Sequence, residues 1–197
     1  MNPLYQLDQN LFRALHEGIQ RDWLDPVMVV LTDTGRGEVY IGVLVVLSFF
    51  VKYRNYALMA LAAGCVSGLF AQLMKRLVER DRPGHLPFAD PITSYIEQMM
   101  GQNAPHAASS FPSGHATSAF AIAVCVAWVT RKSDHAWIGW VVMGWAALVA
   151  FSRVYVGVHF VSDVLAGAAV GTLFGTLAFL LWKKKGWVVE TRLDGLH

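Results

Sequence analysis

His159 and Asp163 stand four residues apart in the run Ser152-Arg153-Val-Tyr-Val-Gly-Val-His159-Phe-Val-Ser-Asp163, between two apolar stretches. At a helix start that spacing brings the carboxylate within reach of the imidazole. It can hold one ring nitrogen protonated and leave the other free to attack an electrophile. Arg153 adds a guanidinium whose fork matches a phosphate. A second cluster, Phe111-Pro112-Ser113-Gly114-His115, opens the apolar run that continues to Thr130. Ser113 or Gly114 falls where a helix cap belongs, so free backbone N–H groups and the positive end of the helix dipole would face an anion. Gly114 allows close approach, and His115 could supply a proton. In a third, Lys75-Arg-Leu-Val-Glu-Arg-Asp-Arg82-Pro83, two cations seven residues apart lie about two helical turns along one face and could clamp one anion. Each cluster has a plainer reading: a histidine satisfied in a helix seam, a capped turn, and a basic flank anchoring a helix end to headgroups. Together they favour chemistry on a phosphoryl group, because ionisable residues beside apolar spans are costly and three such clusters share one predicted face.

The elements that must position these residues belong to a membrane. The 197 residues are 55% hydrophobic and 15% charged, with mean hydropathy +0.41, too apolar for an ordinary soluble domain. Val39 to Val51, Ala57 to Met74, His115 to Thr130, Ala136 to Ser152 and Val164 to Trp182 read as five spans. Residues Leu4 to Ile19 place Leu4, Leu7, Leu11, Phe12, Leu15 and Ile19 near one face, an amphipathic helix suited to the interface. Asp25-Pro26 is a helix start, and the run from Thr32 to Gly37 is a break. The chain reads as one membrane domain over 1–197, with an interfacial region at 1–36 and an outer loop at 75–112 that carries part of the site. No basic start followed by a clean apolar core opens the chain, so the spans themselves are expected to direct insertion. Cys65 and Cys125 sit in apolar runs without paired spacing and read as core residues. A net charge of +2 with scattered signs gives no case for nucleic-acid binding.

Loop charge orients the bundle. Lys52, Arg54, Arg131, Lys132, Lys183 to Lys185 and Arg192 share one side if five spans alternate, which reads as cytoplasmic. The raw count is eight cations on each side; it becomes eight against five once Lys75, Arg82 and Arg153 are assigned to chemistry. The outer loop from Gly84 to Ser110 carries an apolar patch, Tyr95, Ile96, Met99 and Met100, fit either for capping the site or for a plain connector.

At these three clusters the sequence resembles the type 2 phosphatidic acid phosphatase (PAP2) family, whose motifs read K-x6-R-P, P-S-G-H and S-R-x5-H-x3-D. All three occur here, as Lys75 to Pro83, Pro112 to His115 and Ser152 to Asp163. The resemblance runs from about residue 57 to 182 and implies a helical membrane bundle, in many members of six spans; with the residue pattern above, the expectation is an all-α bundle of about five to six spans with an N-terminal amphipathic helix. The resemblance implies that His159 attacks phosphorus and becomes a phosphohistidine, that Asp163 orients and charge-balances it, and that His115 protonates the leaving oxygen. Lys75, Arg82, Arg153, the Ser113 hydroxyl and the Gly114 amide would hold the phosphoryl oxygens. No metal and no cofactor is implied. A zinc site built from His85, His106, His115 and His159 matches no ligand spacing. The expected partner is a lipid phosphate in the bilayer of a bacterial cytoplasmic membrane, approached from the outer, periplasmic face. Undecaprenyl diphosphate is favoured on chain size and facing alone, ahead of phosphatidylglycerophosphate or phosphatidate. A lipid phosphotransferase using the same phosphohistidine is the alternative. A haloperoxidase-type oxidase and a non-enzymatic scaffold or transporter are the more distant readings.

Overall fold

The computed structural model describes residues 3–83 and 109–188. These form α1 (Pro3–Ile19), α2 (Asp25–Thr34), α3 (Gly37–Ser48), α4 (Arg54–Leu77), α5 (Gly114–Thr130), α6 (Ala136–Tyr155) and α7 (Val161–Lys184). No strand occurs among the described residues, as a lipid solvent demands: an open helical bundle pairs its backbone internally, whereas an open sheet would leave edges unpaired. The all-α expectation therefore holds. The expected outer-loop patch, together with His85 and His106, lies outside the described residues.

Three helices are long and apolar enough to cross a bilayer: α4 with 24 residues, α6 with 20 and α7 with 24. Two of the five expected spans are shorter. The run expected over Val39 to Val51 becomes α3, which stops at Ser48 where the chain turns through Phe49 to Tyr53. Its 12 residues reach roughly 18 Å, well short of a hydrocarbon core. α5, at 17 residues, is shielded by its neighbours; from Ala116 to Cys125 every residue but Phe120 is buried.

Inside and outside are partitioned by size rather than polarity. Alanines at 60, 63, 71, 119, 123 and 146 fill the interior, while Leu69, Leu73, Trp140, Val141, Leu165, Leu173 and Leu180 point outward. Lipid is as apolar as leucine, so large side chains gain nothing by hiding from it and close backbone approach drives association. α1 also turns leucines outward. Its Leu4, Leu7 and Leu11 are exposed, whereas Asp8, Phe12 and His16, one turn apart, face the protein.

α5 and α7 make the most extensive helix contact, built on Gly167, Gly171 and Gly175 at four-residue spacing. A Cβ on Gly171 would stand 2.2 Å from the Thr117 carbonyl oxygen, on Gly167 2.6 Å from that of Ser113, and on Gly175 2.5 Å from that of Ala121. Backbone of one helix thus lies in the groove of the other. Gly171→Ala should therefore destabilise by about 1–3 kcal/mol through overpacking, lowering Tm in detergent by roughly 2–10 °C. Gly144→Ala, where a Cβ meets nothing within 4 Å, should leave Tm unchanged or slightly raised. Equal behaviour of the two variants in a thermal melt would refute the packing account.

Candidate active site

The three sequence clusters converge because four helices alternate in direction. Lys75 lies in the last turn of α4 and Arg153 in the last turn of α6, while Ser113 caps the start of α5 and Asp163 lies in the first turn of α7. All four ends meet on one side of the bundle.

The turn between α6 and α7 sets the positions of His159 and Arg153. Gly157 has φ of +77°, the left-handed conformation glycine adopts without Cβ strain. The turn then folds back so that the Arg153 carbonyl accepts from both Val158 and His159 N–H groups, each at 3.2 Å. His159 precedes α7 rather than lying on it, with Phe160 at the cap position. Its Nδ1 is 3.4 Å from Asp163 Oδ2, which places Nε2 on the far side of the ring from the carboxylate. The two residues that the spacing pairs thus lie side by side, although the local geometry is a turn leading into the helix.

Arg153 and His159 are each only 2% exposed. Arg153 Nη1 donates to Thr32 Oγ1 at 2.7 Å, and its Nε is buried without a hydrogen bond, as are His115 Nε2 and His159 Nδ1. Buried polar atoms without a hydrogen bond are uncommon in folded chains, and Arg153 Nε and His115 Nε2 lie where the three motifs meet. Ser113 is buried, and its hydroxyl accepts from the Ala116 N–H at 3.5 Å. Its own N–H donates to the Asp163 carbonyl at 3.0 Å, tying the α5 cap to α7. Gly114 opens α5, and a Cβ there would meet nothing within 4 Å, so open space lies beside its Cα. His115 packs with Cδ2 near Gly35. Lys75 Nζ donates to the Ser109 carbonyl at 3.0 Å, and Arg82 Nη1 to the Val158 carbonyl at 3.4 Å.

One expectation needs correction. Lys75 and Arg82 do not share a helical face: α4 ends at Leu77 and Val78 is extended, with φ −116° and ψ 106°. Arg82 instead reaches the site along an extended segment, from which its side chain meets the α6–α7 turn. The two cations, with Arg153, still surround His159 closely enough to act on its charge.

Other groups at the site went unassigned in the sequence. Arg80, also in the first basic cluster, donates from Nη1 to Asp163 Oδ1 at 2.6 Å. The signal that could have found it is accounting: a carboxylate in an apolar helix needs a cation, and Arg80 lies two residues from one already chosen. Thr32 and Arg36 come from the stretch read only as a break. Thr32 holds Arg153, and the charge of Arg36 acts on both His115 and Arg153. Among the described residues no group of three or more His, Cys, Asp or Glu could hold a metal ion.

The chain is similar to known membrane phosphatases. The family model of the PAP2 superfamily matches residues 52–187. A lipid A 4'-phosphatase from Porphyromonas gingivalis is 28% identical over 195 residues, covering 95% of this chain and 79% of that protein. An undecaprenyl-diphosphatase from Bacillus subtilis is 29% identical over 178 residues, covering 88% and 83%. The crystal structure of a transmembrane PAP2-type phosphatidylglycerolphosphate phosphatase from Bacillus subtilis superposes with a TM-score of 0.74 at 26% identity, over 93% of this chain and 88% of that one.

Burial, and after it the charges of Arg153, Arg82 and Lys75, push the His159 imidazole well below its ordinary value, against a smaller opposing pull from the Ser110 backbone. The folded ring is neutral at pH 7, while the unfolded ring takes a proton below about pH 6.5. The unfolded state then binds more protons, so the stability owed to this group is complete above about pH 6.5 and is lost as pH falls from there. Wild type should therefore lose more Tm between pH 7.5 and 5.5 than His159→Gln does. Equal losses in the two melts would contradict a buried neutral His159.

Proposed function

Because this chain belongs to the PAP2 superfamily of membrane enzymes that hydrolyse lipid phosphates, we propose that it works through a phosphohistidine on His159. The observation that carries this reading is a buried imidazole 3.4 Å from a buried carboxylate, close enough to Arg153, Arg82 and Lys75 for their charges to act on it, at one end of a membrane bundle. The lipid phosphate sits between Lys75, Arg82 and Arg153, with the Ser113 hydroxyl and the Gly114 amide at its remaining oxygens. His159 Nε2 attacks phosphorus, the bond from phosphorus to the lipid oxygen breaks, and that oxygen leaves with the electron pair and takes a proton from His115. Asp163 balances the charge on the phosphorylated ring. Water, giving its proton to His115, then attacks the phosphohistidine; inorganic phosphate departs and His159 returns neutral. The side-chain cations neutralise the phosphoryl charge, so the cycle needs no divalent metal.

The same end of the bundle is assigned to the outer face of a bacterial cytoplasmic membrane. The opposite end carries Lys52, Arg54, Arg131, Lys132 and Lys183 to Lys185, as a cytoplasmic end does. Undecaprenyl diphosphate is the leading substrate on this reading. It rests on that facing, where a carrier lipid is recycled, and on a relative that is an undecaprenyl-diphosphatase. Phosphatidylglycerophosphate and phosphatidate follow.

Purified protein in detergent with EDTA should release phosphate from at least one of undecaprenyl diphosphate, phosphatidylglycerophosphate and phosphatidate, and His159→Ala should lose at least about 10³-fold of that rate. The preferred lipid would identify the substrate. Release that survives His159→Ala would reject the phosphohistidine. Folded wild type that releases nothing, yet moves phosphate to an added lipid acceptor, would make it a phosphotransferase.

A further inference from the structure

The start of α7 lacks a cap of its own. Phe160 occupies the cap position and has no side-chain acceptor, so the first backbone N–H groups of α7 must find oxygens elsewhere. Asp163 turns back to take the Phe160 N–H at 2.9 Å. The Ser162 N–H is taken by Asp8, in α1, at 3.1 Å to Oδ1. A residue 154 positions away in sequence thus performs the capping.

Asp8 does more than cap. Its Oδ2 accepts from the Ser162 hydroxyl and from Arg80 Nη2, while Arg80 Nη1 reaches Ser162 Oγ at 2.7 Å and Asp163 Oδ1 at 2.6 Å. One guanidinium therefore bridges the carboxylate of α1 to the carboxylate behind His159. The bridge is sheltered: side-chain exposure is 8% at Asp8, 16% at Arg80 and nil at Asp163. Rings hold it in place, since the guanidinium carbon of Arg80 lies 4.4 Å from the Phe160 centroid and 5.6 Å from that of Tyr5. Phe160 in turn meets Tyr5 and Phe12 edge-on.

We propose that Asp8 and Arg80 are positioning residues for the reaction: they hold the Asp163 carboxylate, and through it His159, in attacking geometry, so that α1 is part of the catalytic apparatus. This rests on Asp163 supporting a His159 nucleophile, as argued above. Anchoring alone does not explain the arrangement. α1 is already fastened by Phe12 and by His16, whose Nδ1 is 2.8 Å from the Tyr155 carbonyl oxygen. A buried ion pair is also a poor way to add stability, because desolvation offsets most of its attraction. What the bridge supplies is direction. Arg80 takes Asp163 Oδ1, which leaves Oδ2 turned toward His159.

The test is a kinetic double-mutant cycle on the full chain in detergent, using whichever lipid the panel above identifies. Asp8→Asn and Arg80→Gln should each lower kcat by about 10- to 100-fold, the scale of a small misplacement of reacting groups. KM should stay within about threefold, because the phosphate-binding cations are untouched. In an Asp163→Asn background the same two changes should cost less than about twofold more, since the group they act through is gone. Arg80→Lys, which keeps the charge and loses the fork, should recover part of the rate. Multiplicative losses in the Asp163→Asn background, or a folded Asp8→Asn with wild-type kcat, would overturn the proposal. Should Asp8→Asn not yield folded protein, Ser162→Ala decides: a similar fall in kcat at constant KM supports the relay, and wild-type kcat refutes it. His159→Ala in the same assay separates the two readings. Release that persists in that variant defeats the phosphohistidine, whereas release that depends on His159 but ignores Asp8 and Arg80 defeats only the relay.

Discussion

The structure turns on one constraint: the carboxylate of Asp163 has no exposure at all, and a buried charge must be surrounded by donors and cations or it does not persist. Its two carboxylate oxygens and its backbone carbonyl recruit Arg80, the Phe160 N–H, His159 and the Ser113 N–H. These come from the segment after α4, the α6–α7 turn and the cap of α5. Satisfying this one residue, side chain and carbonyl together, therefore draws in the segment after α4, the α6–α7 turn and the α5 cap, and Asp8 extends the set to α1 through Arg80. Convergence of the three motifs is in this sense a solvation problem solved by protein groups.

That solution needs a frame that does not yield. The glycine seam between α5 and α7 sets backbone against backbone, with no flexible side chain between the Ser113 cap and the first turn of α7. α4 and α6 flank the same central helix through alanine-lined contacts. Such interiors leave little slack, which holds the helix ends that carry the candidate site in fixed relation to one another.

Legibility in the sequence followed the range of the interactions. The motif residues His159, Asp163, Arg153, Ser113, Gly114 and His115 were readable because their spacing is local, and the long apolar runs announced α4, α6 and α7. The Val39 to Val51 run shows the limit: hydropathy continues through Phe49, Phe50 and Val51, but the backbone turns there, and composition does not register a turn made of apolar residues. The shared helical face of Lys75 and Arg82 failed because nothing in the run marks the end of α4 at Leu77. Arg80 was visible and unassigned, since its partners, Asp8 and Asp163, lie 72 and 83 positions away. Asp8 lies off the leucine face of α1, where an interfacial helix would turn it to water. In a bilayer the polar stripe of such a helix can face the protein, a choice that depends on what the rest of the chain offers it.

The alternation of helix directions has a further effect. Without an anion between them, Lys75, Arg82 and Arg153 would repel one another. Yet Lys75 and Arg153 ride on the last turns of α4 and α6, where the carbonyl ends of the helices carry partial negative charge. On the proposed reaction the phosphate faces the starts of α5 and α7, where the charge is partial and positive. Outgoing helices must then end in the basic motifs, and returning helices must begin with Pro-Ser-Gly-His and with the aspartate. An up-and-down bundle thus lets outgoing helices bring cations on their last turns, and returning helices bring the Ser113 cap and Asp163 at their starts, to one face with each charge at the pole that favours it.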